Sequence, residues 1–257
     1  MRYVAAIAYD GTNYAGWQRQ KNAVSVQETL ENALERAFGK KIVVTASGRT
    51  DAGVHAAAQI VHFDAEGGVP PLRLPEAINR FLPDDIAVIK GARARDTFDS
   101  NRTAKKKTYK YSLYVSKRRQ PLLERYAVRL DDAPSAEKLQ KAARLTCGEH
   151  DFKAFCAANS SVKTTVRTVY DAEVRERVER GVRLVDFYVT GNGFLYNMVR
   201  TMVGEILALA SGKRTEESLK KAFETGKREL LDKTMPAKGL TMMSVDYGYE
   251  LFVDEEE

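Results

Sequence analysis

Histidine and cysteine are scarce in this chain, with three of the first and two of the second among 257 residues. His55, His62 and His150 are scattered, and no third ligand stands beside any of them at a spacing that binds zinc. Cys147 and Cys156 form no CxxC pair and no disulfide framework, so a reducing, cytoplasmic setting is the expectation. No apolar run approaches the roughly 18 residues that cross a bilayer. The opening "MRYVAAIAYDGT" has one arginine and a short apolar stretch broken by Asp10, which reads as a first strand and not as a signal peptide. Disorder is excluded as well, because 44% of the residues are hydrophobic and 30% charged, the balance of a globular protein. The length suits one large domain or two modest ones.

What is present is positive charge, unevenly spread. The net charge is +6, and leaving out the four acidic residues Asp254–Glu257 raises it to +10 on the remainder. Cations concentrate from Arg93 to Arg119, through Arg95, Arg102, Lys105, Lys106, Lys107, Lys110, Lys117 and Arg118. Such clustering fits a polyanion, of which nucleic acid is the commonest, or a solvated basic face.

Periodicity predicts a regular order of elements. "RYVAAIAY" reads as a strand ending in the Asp10-Gly11 turn. Ser25 and Glu28 stand at capping-box spacing before a helix whose Val26, Leu30, Ala33, Leu34, Ala37 and Phe38 share one face, with Gly39 to stop it. Strands over "KIVVTAS" and "AAQIVHFDA", a short helix at "LPEAINRFL" and a strand at "DIAVIKGARA" complete a first series. A second series begins at "KTYKYSLYVS" and continues with a helix from Ser135. The strands "TTVRTVYDAEVRER" and "VRLVDFYVTG" follow, joined in a hairpin by Glu179-Arg180-Gly181. Helices at "FLYNMVRTMVGEILALASG" and "TEESLKKAFETGK" lead to a last strand at "LTMMSVDYGYE". Both series read strand, helix, strand, strand, helix, strand, the split βαβ order of ferredoxin-like domains. The prediction is an α+β fold of two halves, 1–100 and 101–257, with helices on one sheet face and the other face open, a natural RNA platform.

Three groups can carry chemistry. In "SGRTDAGVHA" Asp51 precedes Ala52 and Gly53, so its carboxylate stands in a tight turn without a bulky neighbour, and Arg49 points the same way if the backbone is extended. A carboxylate between cations stays ionised and is aimed by charge-assisted hydrogen bonds; an Asx-turn is the other use of an aspartate there. Arg200 lies beside the apolar stripe Leu195, Met198, Val199, Met202, Ile206 and Leu209. There it either meets a carboxylate or snorkels to water. Tyr109 and Tyr111, interleaved with lysines, either stack on bases or face the core. The loop "YDGTNYAGWQRQ", with Arg19, either touches RNA or is only a turn, and His55 and His62 read as structural or RNA-contacting.

The blocks "YDGTNYAGWQRQ", "SGRTDAGVHAAAQIVHF", "KTYKYSLY", "DFKAF", "GNGFLYNMVRTMVG" and "GLTMMSVDY" occur in an order and at separations that resemble the tRNA pseudouridine synthase A family over nearly the whole length. The resemblance implies two ferredoxin-like halves sharing a continuous, largely antiparallel sheet and a homodimer with tRNA bound across both subunits. It implies neither metal nor organic cofactor. It makes Asp51 the essential aspartate, Tyr109 the residue packed on the target base, Arg200 the partner of the aspartate, and Arg49 the arginine that helps open the nucleotide and hold RNA. Arg19, His55, Arg102, Lys105, Lys106 and Lys107 are the further RNA-contacting candidates. The implied reaction is uridine to pseudouridine at positions 38 to 40 of the anticodon stem-loop.

One departure stands before the tyrosine strand, where "FDSNRTA" has Asn101 in place of the family's arginine and Arg102 one step later. A non-catalytic RNA-binding protein with two RRM-like halves also explains the basic stretch, but RNP-type aromatic signatures are missing. A phosphoryl-transfer enzyme using Asp51 as nucleophile needs a second carboxylate for magnesium, which "GRTDAGVH" does not supply. A family relative acting on another RNA position is the remaining alternative.

Overall fold

The computed structural model describes residues 1–157 and 162–252; the acidic tail Asp254–Glu257 lies outside them. Two compact units divide the chain, one of Met1–Lys107 with the chain from Met242 onward, the other of Thr108–Thr241. The fold is mixed α+β with mostly antiparallel strand pairing, as the sequence predicts. Among the described residues no helix is long and apolar enough to cross a membrane.

The first unit holds β1 (Arg2–Tyr9), α1 (Val26–Phe38), β2 (Thr45–Ala46), β3 (His55–Asp64), α2 (Leu74–Asn79) and β4 (Ile86–Arg93). β1 runs between β4 and β3, antiparallel to both, and β2 pairs with β3. This is the split βαβ arrangement. α1 starts where the Ser25 side chain accepts from the Glu28 N–H and stops at Gly39, whose φ of 72° is left-handed. Its end packs onto the sheet through Phe38, edge-on to Tyr3 at 5.5 Å and to Phe63 at 6.0 Å, while Tyr3 and Phe63 stack at 5.2 Å.

The strand expected over Lys41–Ser47 is only the two residues of β2. Side chains of α1 take the backbone groups that a longer strand would have paired. Val44 N–H donates to Glu31 Oε1 at 3.0 Å, and Gln27 Nε2 donates to the Val44 carbonyl at 3.3 Å.

The open second sheet face is corrected in this unit. Val4, Ala6, Ile60 and Ala92 are buried there against Phe98 and Tyr247. Those two rings meet at 5.1 Å, and Tyr247 donates its hydroxyl to the Ser100 carbonyl at 2.6 Å. Arg2 ties the same segment down with Nη1, which donates to the Phe98 carbonyl at 2.8 Å. Residues after β4 and residues 245–252 thus cover the sheet. Residues 101–107 and 242–252 belong to the first unit.

The second unit contains most of β5 (Lys106–Val115), then β6 (Val128–Leu130), α3 (Ala136–Arg144), β7 (Gly148–Asp151), β8 (Val166–Glu179), β9 (Val182–Gly191), α4 (Met198–Ala210) and α5 (Glu216–Thr225). β10 (Leu240–Asp246) leads out of it. β5 lies beside β9, then come β8 and β7, with β6 parallel to β5. The β8–β9 hairpin closes as predicted. Glu179 pairs with Val182 across Arg180 and Gly181, whose φ angles of 52° and 73° make the type I′ turn that fits strand twist. The short β6 and β7 were not anticipated, and the predicted helix at Phe194 begins only at Met198.

Candidate active site

Asp51 is half-buried at the first position of a turn closed by Val54 N–H on its carbonyl at 3.1 Å. Gly53 is the third residue of that turn with φ of 76°, the type II geometry that a side chain at that position resists. The turn is braced from outside by the loop after β1. A Cβ on Gly11 would lie 1.9 Å from the Val54 carbonyl oxygen, and one on Gly16 would lie 2.6 Å from that of Thr50. Only bare backbone fits at either place. Trp17 N–H donates to the Thr50 carbonyl at 3.0 Å and Gly53 N–H to that of Tyr14 at 3.4 Å. The aromatics of the loop face inward: Tyr9, Tyr14 and Trp17 are all buried.

A buried polar network fixes the arm of the turn. The Tyr9 hydroxyl donates to Gln59 Oε1 at 2.6 Å and lies 2.7 Å from Thr50 Oγ1. Gln59 Nε2 in turn donates to the Gly48 carbonyl at 2.5 Å. Ser47 N–H donates to the Ile60 carbonyl at 2.7 Å, and Lys107 Nζ donates to the Ser47 carbonyl at 2.5 Å. His55 is buried below the turn, where its Nδ1 accepts from Gly11 N–H at 3.1 Å and lies 3.1 Å from Asp10 Oδ1. His62 is buried too, bonded to Ser100, and burial lowers its imidazole pKa. These contacts hold the backbone on both sides of Asp51.

The predicted RNA-contacting cations separate into two sets. Arg49, Arg102, Lys105 and Lys106 are exposed. Lys107 is half-buried on the Ser47 carbonyl and also reaches Asn101 Oδ1 at 3.3 Å. The asparagine-for-arginine departure at position 101 therefore places an amide beside a lysine that holds the Asp51 arm. Arg19 is exposed as well but pairs with Glu31, which itself accepts from Gln27 and Val44.

In the second unit Arg200 is half-buried in the first turn of α4. Its Nε donates to the Met235 carbonyl and its Nη1 to Asn197 Oδ1, both at 2.7 Å. Asn197 precedes the helix with φ of 66°, a left-handed conformation that asparagine tolerates better than most side chains. That conformation explains the late helix start. Tyr109 is buried on β5 and meets Phe194 edge-on at 5.2 Å. Tyr111, two residues on, donates its hydroxyl to the Pro236 carbonyl at 2.7 Å, and burial raises its pKa far above that of a free phenol. Sequence reasoning missed Asn197 and the Met235 carbonyl. The asparagine was visible in "GNGFLYN", but nothing local links it to residue 235.

The chain thus combines an antiparallel α+β fold, a carboxylate braced in a glycine-lined turn of its first unit and, in its second unit, an arginine clamped at a helix start. Residues 5–101 and 142–248 match the family model described as tRNA pseudouridine synthase. The chain belongs to the tRNA pseudouridine synthase family, whose reaction is the isomerisation of uridine to pseudouridine in tRNA. It is 40% identical over 241 residues to the tRNA pseudouridine synthase A of Acetivibrio thermocellus, covering 94% of this chain and 97% of the relative. It is also 40% identical over 255 residues to that of Shouchella clausii, covering 99% and 96%. A Cbf5-Nop10-Gar1 complex, at 11% identity and a TM-score of 0.38 over 94% of this chain and 49% of that one, is too distant to bear on the argument.

Proposed function

We propose that Asp51 is the catalytic carboxylate of this pseudouridine synthase and that the uridines it isomerises lie at positions 38 to 40 of the tRNA anticodon stem-loop. The observation that carries the first part is the glycine-braced turn, which holds one carboxylate without a bulky neighbour. The stem-loop positions rest on the similarity to the A-type relatives.

In the reaction the N1–C1′ bond breaks and a C5–C1′ bond forms, while N1 gains a proton and C5 loses one. Atoms and oxidation state balance, so the chemistry needs no redox partner. The target base must first leave the stack, which costs a few kcal/mol. Exposed Arg49, Arg102, Lys105 and Lys106 are suited to hold the phosphates, and Tyr109 is assigned to pack on the everted ring. An ionised Asp51 then acts where positive charge develops at C1′, as carboxylates do in glycosidic cleavage. Attack at C1′, removal of a sugar proton and addition to C6 are all within its chemistry. Arg200 is assigned as the cation that keeps the carboxylate charged: a half-buried guanidinium with fixed geometry suits a bidentate acid partner. The working form in this reading is a cytoplasmic homodimer.

Incubating the purified protein with tRNA transcripts carrying 5-³H-uridine tests the proposal. Tritium release, with pseudouridine mapped to positions 38 to 40, is the expected result. Release from other positions would overturn the site assignment, and absence of release would overturn the reaction.

A further inference from the structure

Glu205, on the same helix as Arg200, is completely buried, and no step of the proposed reaction uses it. Its Oε2 accepts from Asp232 N–H at 2.7 Å, and among the described residues its buried Oε1 has no hydrogen-bond partner. Burial raises its pKa. A carboxyl so placed is costly unless the contact it makes is worth keeping.

That contact is the far end of a ladder. Residues 232–236 form no regular element and run along α4 in the opposite direction. Asp232 N–H meets Glu205, and the Lys233 carbonyl presses so closely on Gly204 that a Cβ there would lie 2.0 Å away. Thr234 Oγ1 lies 2.9 Å from Thr201 Oγ1, and Met235 N–H donates to the Arg200 carbonyl at 3.2 Å. The next carbonyl, of Met235, receives the Arg200 guanidinium, and that of Pro236 receives the Tyr111 hydroxyl. Lys213 adds an exposed anchor through both oxygens of Asp232 at 2.9 Å. A strap outside any regular element thus sets the position of the oxygen that aims Arg200.

We infer that Glu205 is a positioning residue for the isomerisation, which fixes the strap 232–236 by accepting from Asp232 N–H and so fixes the Met235 carbonyl against Arg200. The inference rests on the role proposed for Arg200. Tightening or loosening the strap acts on the orientation of the guanidinium and not on the surface that carries RNA. It therefore changes the chemical step and leaves tRNA binding alone. Displacing a reacting group by about 1 Å costs on the order of 100-fold in rate.

The test is steady-state and single-turnover tritium release from 5-³H-uridine tRNA by Glu205→Met, Glu205→Gln and Thr201→Val, each with a thermal melt. Glu205→Met, which keeps an unbranched side chain and removes the acceptor, is expected to lower kcat by about 10- to 100-fold with KM for tRNA within about twofold. Glu205→Gln keeps an acceptor oxygen and is expected to recover most of that loss. Thr201→Val removes one hydroxyl pair further along the strap and is expected to lower kcat by roughly two- to tenfold at unchanged KM. A wild-type kcat in Thr201→Val, or losses in kcat matched by equal rises in KM, would overturn the inference. Should Glu205→Met fail to fold, Thr201→Val decides alone. Arg200→Met separates the two levels: if it is fully active, the proposed role of Arg200 fails, and if it is inactive while the strap variants are normal, only the strap inference fails.

Discussion

Asp51 is held by the backbones of its sequence neighbours and of one loop from the same unit. Gly11 and Gly16 let main chain lie directly on main chain and Gly53 supplies the left-handed φ, so the backbone that carries the carboxylate is placed largely by other backbone. Arg200 is placed differently: its long side chain is aimed by the Met235 carbonyl and Asn197 Oδ1, and the carbonyl belongs to a strap docked on the helix. The first arrangement is intolerant of volume at Gly11 and Gly16 and is backed by the side-chain bonds of Tyr9, Gln59 and Lys107. The second tolerates volume in places but depends on hydrogen bonds far along the chain. For a carboxylate proposed to act on an everted nucleoside at short range, the stiffer support is the appropriate one.

Breaking the stiff side has the larger effect. Gly11→Ala drives a Cβ into the Val54 carbonyl and is expected to cost about 3 kcal/mol in denaturant unfolding, with tritium release falling in parallel. A variant as stable and active as the parent would mean that the loop yields, and the contrast with Arg200 would vanish. Tyr9→Phe is gentler. It removes the hydroxyl between Thr50 and Gln59, and the expected loss is about 1–3 kcal/mol. Chemical denaturation read through the single tryptophan, Trp17, which lies 6.3 Å from the Tyr9 ring, reports this change directly. Arg49→Ala has the smallest structural effect: the residue is exposed, so stability is expected to stay within about 0.5 kcal/mol. Its signature is in binding, where the slope of log affinity against log salt is expected to fall by about one. An unchanged slope would remove Arg49 from the RNA contacts.

The same contrast explains what could be read from the sequence. Element ends were visible wherever a local residue sets them: Ser25 and Gly39 around α1, Ser135 before α3, and Arg180-Gly181 between β8 and β9. The Asp51 turn was legible for the same reason, since Gly53 marks it within two residues. Features created by long-range packing were not. β2 is short because Glu31 and Gln27 capture Val44, 13 and 17 residues away in sequence. The second sheet face is covered because Phe98 meets Tyr247. The strap 232–236 has neither periodicity nor turn chemistry, so its docking on α4 left no pattern to find. In α4 itself the apolar spacing continued back through Phe194, but the left-handed Asn197 ends the helix first.

The central claim is that a single carboxylate, presented by the Asp51 turn, carries the isomerisation. Its most direct test is Asp51→Asn, which keeps shape and hydrogen-bonding capacity while removing the charge, measured side by side for tRNA affinity and tritium release. The expected result is affinity within about threefold of the parent, about 0.6 kcal/mol, and no detectable release over many half-lives of the parent reaction. Release at the parent rate would contradict it.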